Sequence, residues 1–332
     1  SVGGFSAVAT MDLIQSIIMT IALAIIVTFG IVQAGGMDAV LEHAKSLPGY
    51  LSFSQTYNVA SNSAEPYGII RIVSMMAWGL GYFGMPHILV RFMAIRDENE
   101  LKLSRRIASV WVVISMGVAV LIGIVGHAVS SAGRIPFLEG SATETVIVRL
   151  SDLLSSYGIF PAIVAGCILA GILAATMSTA DSQLLAASSA FSENIVQNVF
   201  GIKLTEKQNM RIARLTVICI AVIAIFLAAD PNSNVFQIVS FAWAGFGATF
   251  GPAMLCALFW KRSNRQGIMA GLVVGGVMIF VWKFLVRPMG GIWDIYELLP
   301  AFACALLAIV AVSLLTPAPR QEVLDAFDSY NK

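Results

Sequence analysis

The chain has 332 residues, 58% of them hydrophobic and only 12% charged, with a mean hydropathy of +0.84. Soluble domains carry roughly 25% charged residues, so the composition argues against a soluble globular protein, and the apolar blocks are long enough to cross a bilayer at roughly 20 residues per helix. The formal net charge of +1, with its charges gathered in short loops, leaves no basic footprint for nucleic acid.

Eight helical spans are expected, at about 8–34, 68–94, 107–131, 160–186, 212–229, 234–260, 267–286 and 298–316. The chain opens on SVGGFSAV, with neither a methionine nor the charged region of a signal peptide, and an N-terminally truncated fragment is the expectation. The first span carries one carboxylate, Asp12, in ATMDLIQS at its start. Asp12 is either an ordinary helix-end charge or, where a second acid faces it, part of a cation path. A polar loop over 36–65 follows.

The second span is interrupted. Its stretch AWGLGYFGMPHILVRF (77–92) holds Gly79, Gly81, Gly84 and Pro86, and relative to alanine a helix loses about 1 kcal/mol per glycine and about 3 per proline. Unwound backbone at membrane depth survives only where it is buried in protein or lines a cavity, and transporters use such breaks to aim free backbone groups at their cargo. Trp78, Tyr82 and Pro86 recur every four residues, so one helical face would offer a surface suited to a small amphipathic solute. A proline-kinked helix packed against its neighbours, without a ligand, is the alternative. GLGYFG also matches the G-x-G-x-x-G pattern, but it lies within a span with no strand before it, which argues against a dinucleotide loop.

After the third span and an amphipathic stretch at 141–157, the fourth span runs into AATMSTADSQLLAASSA (174–190), with six hydroxyl residues and one aspartate in seventeen positions. Ala175, Ser178, Thr179 and Ser182 fall at i, i+3, i+4 and i+7, one stripe of one helix. Small residues let a second backbone approach and hydroxyls bond across helices, which accounts for the stripe without a ligand. A hard-cation site is the other reading. Sodium takes oxygen ligands, and two adjacent hydroxyls beside an alanine carbonyl supply them, provided another helix contributes the rest. Asp181 flanks the stripe as a cation waypoint or as a solvated helix end. If Asp12 and Asp181 face one another, they form a candidate second cation site with Ser182. Residues 187–200 are expected to continue this helix beyond the bilayer.

The sixth span, SFAWAGFGATFGPAMLCALFWKR, contains Gly245, Gly247, Gly251 and Pro252, which suit close packing or a hinge. The loops after the even-numbered spans, together with Arg91, collect 14 of the 20 lysines and arginines; the other six are Lys45, Arg71, Arg134, Arg149, Lys283 and Arg287. The positive-inside rule therefore places the first group, both chain ends and a tail over 317–332 in the cytoplasm. The four cysteines lie in apolar blocks and read as small buried hydrophobes. Three scattered histidines lack ligand spacing, and no catalytic constellation is present, so neither an enzyme nor a cofactor is expected.

The blocks WGLGYFGMPHILVRFMA, ILAATMSTADSQLLAASSAFSENI, VSFAWAGFGATFGP and WKRSNRQGIMAGLVVG resemble the sodium:solute symporters, and the resemblance runs through nearly the whole chain. It implies an all-α membrane protein with the leucine-transporter-type inverted-repeat fold. About eight transmembrane helices would be present, core helices five to twelve, with 1–332 as a single transporter domain lacking its N-terminal helices. It assigns a sodium site to Ala175, Ser178 and Thr179, and the solute site of the family's proline branch to Trp78, Tyr82 and Pro86. Asp12 matches the acidic residue that some relatives use, with hydroxyls of the eighth core helix, for another sodium. Asp181 departs from the apolar or serine residue of some proline carriers. The implied activity is secondary active symport of L-proline into the cell across the plasma (inner) membrane, with Na+ as the coupling ion. Another small solute (a different amino acid, a carboxylate or pantothenate), a symporter-like sensor domain and a passive channel are the alternatives. On this resemblance the chain as given lacks half of its sodium cage and does not transport alone.

Overall fold

The computed structural model describes residues 4–229 and 234–330. Its helices, in chain order, are α1 (Gly4–Gln33), α2 (Met37–Ser46), α3 (Ile69–Met76), α4 (Trp78–Gly81), α5 (Pro86–Met93), α6 (Glu100–Ser131), α7 (Val146–Ser155), α8 (Ile159–Ser189), α9 (Glu206–Leu227), α10 (Val235–Phe259), α11 (Arg265–Val281), α12 (Leu298–Leu315) and α13 (Gln321–Tyr330). Among the described residues, seven helices are long and apolar enough to cross a membrane, or eight if the pair Ile69–Gly84 and Pro86–Met93, bent by 50°, is one span. These coincide with the eight expected spans, and the fold is all-α.

The differences from expectation lie where polar residues extend a helix or interrupt a loop. Helix α6 begins at Glu100 rather than near 107, because polar turns beyond the apolar block still satisfy their own backbone. The expected polar loop at 36–65 contains α2 and a short hairpin of Gln55–Asn58 with Ser63–Pro66. Helix α8 passes directly into a π-helical stretch, Ala190–Val199, so its continuation beyond 186 is helical but wider wound. Helix α9 starts at a capping box, in which Gln208 N–H donates to the Thr205 side chain and Thr205 N–H to the Gln208 side chain.

The described chain forms two compact units. One comprises Ser1–Ser52, Thr56–Glu65 and Ile95–Ser233. Its core joins Ile26 of α1, Val40 of α2, Ile122 and Val125 of α6, Leu150 of α7 and Ile168 of α8. Helices α1 and α8 approach closely at Gly171, where a Cβ would lie 2.9 Å from Ala22 Cβ.

The other unit comprises Phe53–Gln55, Pro66–Ala94 and Asn234–Lys332. Here α11 carries Gly267, Gly271 and Gly275 in a small-xxx-small stripe. A Cβ on Gly271 would come within 2.7 Å of Ile309 Cδ1 on α12, and one on Gly275 within 2.6 Å of the Ala248 carbonyl on α10. Asn264 fixes the start of α11: its Oδ1 accepts from Gly267 N–H at 2.9 Å, and its Nδ2 donates to Thr316 Oγ1 at 2.7 Å and to the Pro317 carbonyl at 2.8 Å. Pro252 sits inside a continuous α10, buried with Ala244, Gly247, Ala248 and Gly251. This glycine-rich face is a packing surface.

Glu297, at the start of α12, is fully buried. Arg287 Nη1 donates to its Oε2 at 2.7 Å, while Lys283 Nζ lies 3.4 Å from Oε1, an ion-pair contact without a hydrogen bond. Removing one partner of a buried pair costs about 3–5 kcal/mol; the low end applies here because both cations reach solvent. Glu297→Ala is therefore expected to lower the thermal midpoint of the purified protein by several degrees. Glu297→Gln should lower it less, and equal midpoints for wild type and Glu297→Ala would show that the carboxylate stabilises nothing.

Candidate functional site

In the first unit, the hydroxyl stripe of α8 meets α1. Ser178 Oγ donates to Asp12 Oδ1 at 2.5 Å, and Ser182 Oγ donates to the Ser178 carbonyl at 3.0 Å. Ser182 is buried, Ser178, Ala175 and Asp12 are half-buried, and Thr179 and Asp181 are exposed. The spacing of α8 explains this order: residues 175, 178 and 182 recur on one side, whereas 179 and 181 turn toward its edges. Asp12 thus faces Ser178 rather than Asp181.

One turn beyond Asp12 on α1, Gln15 is only 5% exposed, and its Oε1 has no hydrogen-bond partner. A buried amide oxygen without a donor is costly unless a cation or water takes its place. The oxygens of Asp12, Ser178 and Ser182 suit a hard cation, which binds carboxylate, carbonyl and hydroxyl oxygen rather than nitrogen or sulfur, and Gln15 adds a buried amide oxygen to the same helix as Asp12. Sequence reasoning missed Gln15; its only signal is a polar side chain three residues after Asp12 in an apolar helix.

In the second unit, the helix break forms as the residue types require. Met85 is extended (φ −80°, ψ 112°), as the residue before a proline prefers, and Pro86 opens α5. Residues Tyr82–Gly84 tighten into a 3-10 turn. Gly84 lets this turn press onto α10: a Cβ there would meet the Phe246 carbonyl and come within 2.9 Å of Gly247 Cα and Gly251 N.

The Trp78 ring stacks parallel to Trp243 (centroids 5.4 Å, 16°), Phe236 (5.5 Å, 13°) and Tyr296 (6.1 Å, 16°). Trp243 Nε1 also donates to the Trp78 carbonyl at 3.0 Å. The Tyr82 ring meets Trp243 edge-on at 4.8 Å and is 52% exposed. Trp78 and Tyr82 therefore share Trp243, while Pro86 belongs to the next helix, past the bend.

Tyr296 is tied at both ends, its N–H donating to Ser74 Oγ at 2.9 Å and its hydroxyl to the Ser240 carbonyl at 2.5 Å. Burial, and after it the Glu297 charge, raise the Tyr296 phenol well above its usual range, so it stays a neutral donor at physiological pH. Parallel rings beside a half-exposed Tyr82 can hold a small ring or aliphatic body. The partners Trp243, Phe236 and Tyr296 were not read from the sequence, since they lie far from Trp78 along the chain.

The sodium:solute symporter family matches residues 1–275. The chain is 37% identical over 329 residues to the high-affinity proline transporter PutP of Bacillus subtilis, covering 99% of this chain and 65% of that protein. It is 39% identical over 337 residues to a sodium/proline symporter of Haemophilus influenzae, covering 100% of this chain and 64% of that one. For the sodium/proline symporter of Escherichia coli the identity is 36% over 321 residues, with 96% and 60% covered. The chain thus spans somewhat less than two thirds of the length of these relatives. The broken second span and the oxygen-lined α1–α8 contact fall within the matched residues, and the chain belongs to the sodium:solute symporter family.

Proposed function

We propose that this chain is part of a carrier that couples the inward movement of Na+ to uptake of L-proline. The observation that carries the reading is the contact of Asp12 on α1 with Ser178 on α8, between two apolar helices, with Ser182 bonded to the Ser178 carbonyl one turn on. The names of the relatives supply the solute. Ala175, Ser178 and Thr179 would provide one sodium site from α8. Asp12 and Ser182, with Asp181 nearby on the exposed side of α8, would provide a second cation station. Trp78, Tyr82 and Pro86 would receive the solute.

In this reading the chain forms one transporter domain in the plasma (inner) membrane, its basic loops and the 317–332 tail in the cytoplasm. Each Na+ moving inward contributes about 2.3 kcal/mol per 100 mV of membrane potential. Sodium bound at the α8 hydroxyls neutralises Asp12 and braces α8 against its neighbours. The bend at Met85 supplies the break about which the solute-binding span opens and closes.

The test is initial uptake of labelled L-proline by proteoliposomes holding the intact carrier, under an inward Na+ gradient. Uphill accumulation that collapses when K+ replaces Na+ is the expected result. Accumulation of no solute would exclude symport, and stronger inhibition by another amino acid or by pantothenate would move the solute assignment.

A further inference from the structure

The second unit holds a cavity of about 650 Å³, lined by Arg71, Ser74, Trp78, Gln237, Lys283, Arg287, Asp294 and Tyr296 among others. Three of its lining residues are cations, and all three belong to the six lysines and arginines outside the cytoplasmic group. Non-cytoplasmic cations do not set topology, so their collection around one cavity calls for another cause.

Two of the three are already matched. Arg287 Nε donates to Asp294 Oδ1 at 2.8 Å and its Nη1 to Glu297 Oε2 at 2.7 Å, and Lys283 pairs with Glu297 at 3.4 Å. Arg71 differs. Its guanidinium lies 5.2 Å from the centre of the Tyr67 ring, and among the described residues no carboxylate pairs with it. Two cations against two carboxylates are neutral, so Arg71 leaves this wall with one excess positive charge.

The remaining lining sorts by chemistry. Trp78, Met75 and Phe236 give an apolar side, and Asp294, 60% exposed, gives a carboxylate reachable from solvent. A cation held over an aromatic ring, an accessible carboxylate and an apolar wall complement a small zwitterion with an apolar body. The guanidinium fork matches a carboxylate in two parallel bonds. The cavity volume is ample for such a molecule, and its wall includes Trp78, the first residue of the solute site proposed above.

We propose that this cavity is an entry subsite for a zwitterionic amino or imino acid, with Arg71 as the anchor for its carboxylate and Asp294 facing its ammonium. This rests on the symport reading for the identity of the solute and for the outward orientation. Binding here is weak, because Arg71 is exposed and an exposed ion pair gains little. The solute held here lies against Trp78 with its carboxylate on Arg71, so the contact adds modestly to the measured affinity.

The test compares intact wild-type carrier with Arg71→Gln and Arg71→Lys in Na+-driven uptake of L-proline, with equilibrium binding of labelled L-proline measured in parallel on the purified proteins. For Arg71→Gln the expected result is a KM and a Kd raised about fivefold, the size expected for losing one accessible charge-assisted contact. The maximal rate and the Na+ dependence should stay within about twofold, as they do when ground-state binding alone is lost. Arg71→Lys should recover part of the loss. Prolinamide, which lacks the carboxylate, should compete less well than proline in wild type, and this gap should narrow in Arg71→Gln. A KM and Kd unchanged in Arg71→Gln overturn the subsite while leaving symport intact. Wild-type protein that binds proline through Arg71 without transporting it overturns symport alone, and protein that does not bind proline overturns both.

Discussion

Converting Ser178 and Thr179 together to alanine is expected to raise the Na+ concentration for half-maximal uptake by about tenfold or more, equivalent to about 1.4 kcal/mol of lost ion binding. On the proposed site Ser178 Oγ would supply an oxygen, and it holds Asp12 through a 2.5 Å hydrogen bond, so its loss also removes that contact. Thr179 is exposed, and its side chain makes no hydrogen bond among the described residues. The single variants therefore separate two contributions: Thr179→Ala tests an ion ligand alone, and Ser178→Ala a ligand together with an orienting contact. Both replacements are benign for a helix, so membrane levels and thermal midpoints should stay near wild type. Normal levels with unchanged Na+ dependence would remove these hydroxyls from ion coupling.

Gly84→Ala is expected to lower the stability of the packed helix break. The new Cβ would press on the Phe246 carbonyl and lie 2.9 Å from both Gly247 Cα and Gly251 N. All three neighbours are backbone, so no side chain can rotate away and α10 itself must move. Overpacking of this kind costs about 1–3 kcal/mol, occasionally more. Gly79 is the internal control, because a Cβ there meets nothing within 4 Å. Gly84→Ala should lower the thermal midpoint and the amount of folded carrier in the membrane, and Gly79→Ala should lower neither. Equal behaviour of the two variants would rule out the tight α10 contact as the reason for glycine at 84.

The spans were legible because a bilayer demands unbroken apolar length, and the break at 82–86 because glycine and proline act on the backbone within one or two residues. The α8 stripe was legible in part. Helical spacing brings Ser178 and Ser182 to one side, but which residue of α1 stands opposite depends on how two helices pack. Asp12 consequently meets Ser178 rather than Asp181, and the burial of Gln15 on α1 has no local pattern announcing it. The same limit hid the Trp78 stack, whose partners Phe236, Trp243 and Tyr296 come from two distant segments. Glu297 escaped notice because a lone acid before an apolar block reads as a helix-end charge; only the fold brings Lys283 and Arg287 to it.

The close seating of α11 on α12 has a mechanical consequence. Asn264 pins this pair at one end, and at the other the Trp282 Nε1 bond to the Ile295 carbonyl (3.1 Å) and the Arg287–Glu297 pair close the connection. The glycine stripe between leaves no slack for sliding. Such a pair behaves as a stiff plank, with resistance to shear along its whole length. Within this unit the chain changes direction at Met85, where one extended residue joins two helices set at 50°. The plank would therefore serve as the fixed ground for any change in that angle.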